Sequence, residues 1–179
     1  DILLQVRPRV DERRQTLLPH LGVTPQNYVL VTVHRAANTD DPAAMRSIAQ
    51  ALNMLEMPVI FPLHPRTRAA LEQCGITWKS HIYCIDPVGF IDMQTLESSA
   101  YRILTDSGGM QKEAFLLKVP CITLREDTEW IETVEAGWNV LVGSRWEVIV
   151  EAIDLPRPEA HQQHPFGQGD AGRRISRSW

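Results

Sequence analysis

Residues 102–113 read Arg-Ile-Leu-Thr-Asp-Ser-Gly-Gly-Met-Gln-Lys-Glu, and the fold follows from how that stretch divides. Ile103 and Leu104 form a short apolar run, the end of a buried strand. Asp106 and Ser107 carry short, oxygen-bearing side chains that cap a helix by accepting bonds from its first, otherwise unpartnered amides. Gly108 and Gly109 remove side-chain bulk where those amides point outward, and Ala114, Phe115 and Leu117 supply an apolar stripe for a packed helix. Strand, glycine pair, helix start: this order offers backbone N–H groups and the positive end of a helix dipole to an anion. Glu113 follows about one turn beyond the glycines, at about 3.6 residues per turn. A carboxylate there can accept hydrogen bonds from two adjacent hydroxyls, as a ribose offers. The stretch therefore reads as a nucleotide diphosphate site with a sugar-reading acid. Ser-Gly-Gly is also the pattern of an ordinary capped turn, and the chain has neither a P-loop lysine here nor G-x-G-x-x-G spacing.

Outward from this stretch the chain alternates apolar strands with helices. Residues 28–33 are nearly all apolar and β-favouring, the mark of a strand covered on both faces, and 58–63, 82–85, 103–105, 120–124 and 139–142 read as further short strands. Helices are expected over 10–21, closing at Gly22, and after Asp40-Asp41-Pro42, where Met45, Ile48, Leu52 and Leu55 keep helical spacing. Further helices are expected through Ala69–Leu71 to Gly75, over 90–99, over 128–136 to Gly137 and over 145–153. His64-Pro65-Arg66-Thr67 reads as a loop. This alternation indicates a Rossmann-like, doubly wound parallel α/β sheet. Ligands of such sheets collect beyond the carboxyl ends of the strands. The strand exits carry His34-Arg35, His64-Pro65-Arg66, Asp86-Pro87, Asp106-Ser107-Gly108-Gly109 and Arg125-Glu126-Asp127. Titratable and basic side chains thus gather on one rim. His34 there can stabilise a leaving phosphate or relay a proton, or simply be a structural histidine. Arg66 and Arg125 match phosphate or carboxylate bidentately. Glu129, Glu132 and Glu135 read as a solvated helix face, and Trp130 and Trp138 as packing.

Composition narrows the classes. The 179 residues, 44% of them hydrophobic, fit one globular domain with a real core. No apolar run approaches the roughly 18 residues of a membrane span. A net charge of −4 argues against nucleic acid as the main partner. The three cysteines, Cys74, Cys84 and Cys121, have no metal-ligand spacing and make a poor disulfide set, which points to a reducing cytoplasm. Cys84 and Cys121 read as small core hydrophobes. The opening Asp-Ile-Leu-Leu resembles neither a signal peptide nor a natural start, and reads as the continuation of an upstream segment.

Several motifs together resemble a known family. They are His34-Arg35-x-x-Asn38, His64-Pro65-Arg66, Thr105-Asp106-Ser107-Gly108-Gly109-x-Gln111-x-Glu113-Ala114, Pro120, and Arg125-x-x-Thr128-Glu129 through Glu132 to Ala136-Gly137. This set is similar to the C-terminal half of the non-hydrolysing UDP-N-acetylglucosamine 2-epimerases, from about Tyr28 to a closing Pro165-Phe166-Gly167-Gln168-Gly169. The resemblance implies that residues 1–179 are the C-terminal UDP-binding domain of a GT-B-type two-domain enzyme, with the N-terminal domain absent and the 170–179 tail packing back toward it. It implies a homodimer when full length, and no metal or redox cofactor. Ser107, Gly108 and Gly109 would hold phosphate and Glu113 the ribose hydroxyls. Met93 would lie near the uracil, Arg35 and Arg66 would contact the UDP-sugar, and His34 would stand by the reacting centre. The implied chemistry removes the C2 proton, eliminates UDP to leave a glycal, and re-adds UDP with C2 inverted. In relatives the acid/base carboxylates come from the N-terminal domain. Ala37 departs from the family's usual glutamate, and Trp130 stands where some members place an arginine. Alternatives with the same fold are a GT-B glycosyltransferase using a UDP-sugar and a non-catalytic nucleotide-binding module.

Overall fold

The computed structural model describes residues 2–159. The Pro165–Gly169 motif and the 170–179 tail lie outside the described residues. Six strands, β1 Val29–Thr32, β2 Val59–Pro62, β3 Ile82–Ile85, β4 Arg102–Thr105, β5 Cys121–Thr123 and β6 Asn139–Leu141, form one sheet in the order β3-β2-β1-β4-β5-β6. Every neighbouring pair is parallel. The helices are α1 Ile2–His20, α2 Ala36–Thr39, α3 Pro42–Met54, α4 Pro65–Cys74, α5 Phe90–Ser99, α6 Gly108–Leu117, α7 Ile131–Glu135 and α8 Trp146–Ile153.

Successive strand side chains point to opposite faces, so a strand covered on both sides must be apolar throughout. Val29, Val31 and Val33 pack with Met45, Ile48 and Leu52 of α3, Leu71 of α4 and Ile149 of α8. Tyr28 and Leu30 meet Leu17 and Leu18 of α1, Leu96 of α5 and Ala114 of α6 on the other face. Two core layers with the sheet between them make the Rossmann-like fold.

The strand order fixes where a ligand can sit. From β1 the chain builds outward through β2 and β3, then crosses back to lay β4 on the other side of β1. Val29 pairs with both Val59 and Arg102, and Thr32 pairs with Thr105. Connections therefore diverge at the carboxyl ends of β1 and β4, leaving a crevice there.

The expected elements are all present, with three corrections. First, α1 begins at Ile2 rather than near Val10 and passes through Pro8 and Pro19. Proline's fixed φ is helical, so each costs the helix one donor without forcing it to end, and burial of Val10, Leu17 and Leu18 holds the helix down. Second, His64-Pro65-Arg66-Thr67 is a helix start and not a loop. His64 is the N-cap of α4, its Nδ1 accepting from the Arg66 amide at 3.2 Å, with Pro65 at the first helical position. Third, α7 has only five residues where a helix from Thr128 was expected. Thr128 Oγ1 donates to Gln111 Oε1 at 2.5 Å and accepts from the Trp130 amide at 3.0 Å, which holds that segment in a non-helical turn.

Cys121 is buried, and burial pushes its thiol up to about 12, as expected of a core thiol. Cys84 is half-buried and raised for the same reason. No helix among the described residues is long and apolar enough to cross a membrane.

Leu104 is fully buried on β4, in the layer beneath the crevice. Leu104→Ala should lower unfolding free energy by about 2–5 kcal/mol. Urea denaturation with an unchanged m-value checks this.

Candidate functional site

The site begins with one carboxylate. Asp106, directly after β4, is fully buried. Oδ1 and Oδ2 each lie 3.1 Å from the His34 amide, and Oδ2 accepts from the Arg35 amide at 2.9 Å and from Asn38 Nδ2 at 3.1 Å. His34 Nδ1 is 3.3 Å from Oδ1. A buried carboxylate this close to a ring nitrogen is placed to orient the imidazole. The cap expected of Asp106 is therefore Ser107's alone: Ser107 Oγ accepts from the Met110 amide at 3.4 Å. Asp106 instead binds the exit of β1 to the exit of β4. Below it, Thr32 and Thr105 hydroxyls meet at 2.7 Å, and Thr105 Oγ1 accepts from the Ser107 amide at 3.0 Å.

Beyond Asp106, α6 opens with Gly108 and Gly109. A Cβ built on Gly109 would meet only Ser107 Oγ at 3.8 Å. At Gly108 the mouth is covered: a Cβ would stand 3.1 Å from Glu129 Oε2 and 3.7 Å from Trp130 Nε1. Glu129 was expected on a solvated face, yet its carboxylate lies over the positive end of α6, where an anion belongs. Arg125 Nη1 and Nη2 each donate to it at 2.9 Å, and Arg35 Nη2 stands 3.5 Å away. The Arg125 bonds hold the Glu129 acid down to about 2, helped by its own amide and by Arg35. Its side chain remains 52% exposed, so water screens these pairs and none of them locks it in place.

The other expected site residues fall into two groups. Arg35 and His34 stand on the crevice beside the glycine mouth. Arg66 is turned to Asp40, with bonds of 2.9 and 2.8 Å, on the His64 side of His34; the two histidine rings are 6.3 Å apart. Met93 is partly buried against the α1–α5–α6 core layer. Glu113, on α6, is half-buried and accepts from Gln94 Nε2 at 3.2 Å. The same Nε2 lies 3.3 Å from Glu97 Oε2, and Glu97 is fully buried on α5. Burial, then the adjoining Glu113 carboxylate, raises Glu97 well above the ordinary carboxyl range.

Sequence reading missed Asp106's inward role, Glu129's cover over Gly108, and Glu97. Asn38 was in view only as a motif letter; its amide also donates to the Leu124 carbonyl at 3.1 Å, tying in β5. Among the described residues no group of three His, Cys, Asp or Glu side chains is placed to hold a metal ion.

Known proteins are similar to this chain along nearly its whole length. A sequence model of the family described as UDP-N-acetylglucosamine 2-epimerase matches residues 1–178. A UDP-N-acetylglucosamine 2-epimerase homolog of Methanococcus maripaludis is 43% identical over 98% of this chain and 50% of its own length. A UDP-2,3-diacetamido-2,3-dideoxy-D-glucuronate 2-epimerase of Pseudomonas aeruginosa is 44% identical over 87% of this chain and 45% of its own. The solved structure of the Methanocaldococcus jannaschii UDP-GlcNAc 2-epimerase in complex with UDP-GlcNAc and UDP superposes with a TM-score of 0.84 at 36% identity, covering 98% of this chain and 51% of that one. The chain spans about half the length of the curated relatives it matches.

Asp106→Asn would point an amide N–H₂ at donors that need an acceptor. It should cost about 3 kcal/mol of stability and release the His34 ring. Urea denaturation and the His34 imidazole NMR resonances check both outcomes.

Proposed function

The chain belongs to the UDP-N-acetylglucosamine 2-epimerase family, and from that premise we propose that it is the UDP-binding half of a UDP-acetamido-sugar 2-epimerase. The observation that carries the reading is the Asp106 junction, which sets His34, Arg35 and the glycine-led start of α6 on one crevice. In this reading the diphosphate takes the amides of Ser107, Gly108 and Gly109, and Glu113 accepts from the ribose hydroxyls. Met93 packs by the uracil. Arg35 and Arg66 balance phosphate charge, and His34 faces the bond that breaks.

The reaction moves no net electrons. A base removes the C2 proton, the C1–O bond breaks as UDP leaves, and a C1=C2 glycal remains. UDP re-adds at C1 while a proton returns to C2 from the opposite side. Donors that neutralise the departing diphosphate lower that barrier. Arg35, Arg125 and the start of α6 are such donors, and the base for C2 comes from an upstream half of the full-length protein. A cytoplasmic location and a homodimer of the full-length enzyme belong to the same reading.

Two substrates fit the family relatives. UDP-N-acetylglucosamine, with UDP-N-acetylmannosamine as product, matches the name of most relatives; the Pseudomonas enzyme, at 44% identity against 43% for the Methanococcus homolog, makes a diacetamido uronate the second candidate. Incubation of the full-length protein with each UDP-sugar in D₂O, with no acceptor, separates them. Deuterium at C2 of one is expected, and a requirement for an acceptor would make the protein a glycosyltransferase. The 179-residue chain alone should bind UDP and show no C2 exchange.

Glu129 must leave Gly108 for the diphosphate to enter, since two anions cannot share one helix mouth. Glu129→Gln removes the competing charge and releases Arg35 from its pairing, while Arg125 keeps its bonds to Asp127 at 3.1 and 2.8 Å. Its affinity for UDP by calorimetry should rise several-fold at low salt, with the gain shrinking as salt screens the pairs.

A further inference from the structure

Glu97 is a fully buried carboxyl that the epimerase reaction does not require. Its Oε1 has no hydrogen-bond partner, and Oε2 accepts from Gln94 Nε2 at 3.3 Å. No Lys, Arg or His among the described residues pairs with it. A carboxylate so placed would be unpaired in a low-dielectric layer, which proteins avoid by keeping the proton. The partner for that proton is at hand, because Gln94 Nε2 bridges the two carboxyls, 3.3 Å from Glu97 Oε2 and 3.2 Å from Glu113 Oε2, and Glu97 Oε1 beside them has no partner. Glu97 and Gln94 lie one turn apart on α5, facing Glu113 on α6.

We infer that Glu97 is carried as a neutral carboxylic acid whose O–H and the Gln94 amide together fix the Glu113 carboxylate in the rotamer that meets the ribose hydroxyls. Glu97 is thus a positioning residue for nucleotide recognition. The inference rests on the proposed ribose role of Glu113. With two donors on its inner side, Glu113 turns its remaining lone pairs outward to the crevice. A ligand bringing a vicinal diol meets an acceptor already held in place, so little rotamer entropy is lost on binding.

The surroundings keep Glu97 neutral from every side. Tyr28 donates to the Leu96 carbonyl at 2.6 Å, and burial raises its phenol so that it stays neutral. Arg14 of α1 is turned to Ser99 and Ser98 at 2.8 and 3.3 Å. Arg13 is paired with Asp92, Nε to Oδ1 at 2.6 Å. Cys121 of β5 stays a thiol. Glu113 is the carboxyl joined to it through Gln94.

The sign of the pH effect follows. The folded chain keeps a proton that the unfolded chain releases near the ordinary value of 4.5. That stability is complete below this pH and is lost as pH rises through the folded value. Glu97→Gln keeps a neutral donor at every pH, so its stability relative to wild type should increase as pH rises.

Carbon-13 NMR of the chain labelled at glutamate Cδ reads the proton directly. Glu97 should keep the neutral-acid shift to higher pH than the exposed glutamates; titration together with them near 4.5 overturns the inference. UDP and 2′-deoxy-UDP affinities by calorimetry then read the positioning. Wild type and Glu97→Gln should prefer UDP alike, whereas Glu97→Leu should lose most of that preference, about tenfold in affinity. Wild type should also lose affinity at high pH as Glu97 ionises, and Glu97→Gln should not; the ligand's own ionisation is common to both. If wild type binds UDP and 2′-deoxy-UDP equally, the ribose reading of Glu113 fails, and this inference with it. If wild type discriminates and Glu97→Leu discriminates as well, only Glu97's role fails.

Discussion

The structure of the site depends on one buried carboxylate. Asp106 joins two strand exits that are 72 residues apart in sequence, and it does so by accepting from backbone amides rather than by pairing with a cation. A carboxylate with no exposure needs several donors to offset its lost hydration. The His34 and Arg35 amides and Asn38 supply them, and in return β1's exit is held against the start of α6. Burial and hydrogen bonding thus settle where His34 stands before any ligand arrives. The Rossmann-like strand order makes this possible, since only at the switch point do two neighbouring strands send their connections apart.

Charge around the crevice is balanced internally. Glu129 covers the mouth of α6 and engages Arg35 and Arg125; Asp40 engages Arg66. Each pair is at least partly exposed, so each is weak and exchangeable. In the proposed function, an incoming diphosphate meets arginines already gathered near its position and displaces the Glu129 carboxylate from them. A second concavity, lined by Arg46, Gln50, Asn53, Ile76 and Lys79, lies at the opposite rim, where α3 ends and β3 is about to begin. It has neither a glycine-led helix nor a histidine.

The fold was largely legible because the central strands are covered on both faces, which writes the same apolar signature into residues 28–33, 58–63 and 103–105. Glycines at 22, 75 and 137 end helices in the left-handed conformation, so those boundaries were also visible. What could not be read was three-dimensional. Asp106 looks like a cap because Asp before Ser-Gly-Gly usually is one; only the β1–β4 pairing shows that its carboxylate turns inward to His34. Glu97 has no local signal at all, since α5 packs on two sides and Gln94, Thr95 and Ser99 are buried beside it. Glu129 reads as a surface residue until the turn at Thr128 swings it over Gly108. Glu113 and the glycines were visible as a motif, and their partners were not.

The central claim is that the start of α6 and Glu113 grip a uridine diphosphate. Amide-resolved NMR of the 179-residue chain during UDP titration tests it most directly. The earliest and largest shifts should fall on the amides of Ser107, Gly108, Gly109 and His34, followed by the Glu113 region of α6 and Met93 on α5. Shifts confined to the groove around Arg46 and Lys79, or none at saturating UDP, would contradict it.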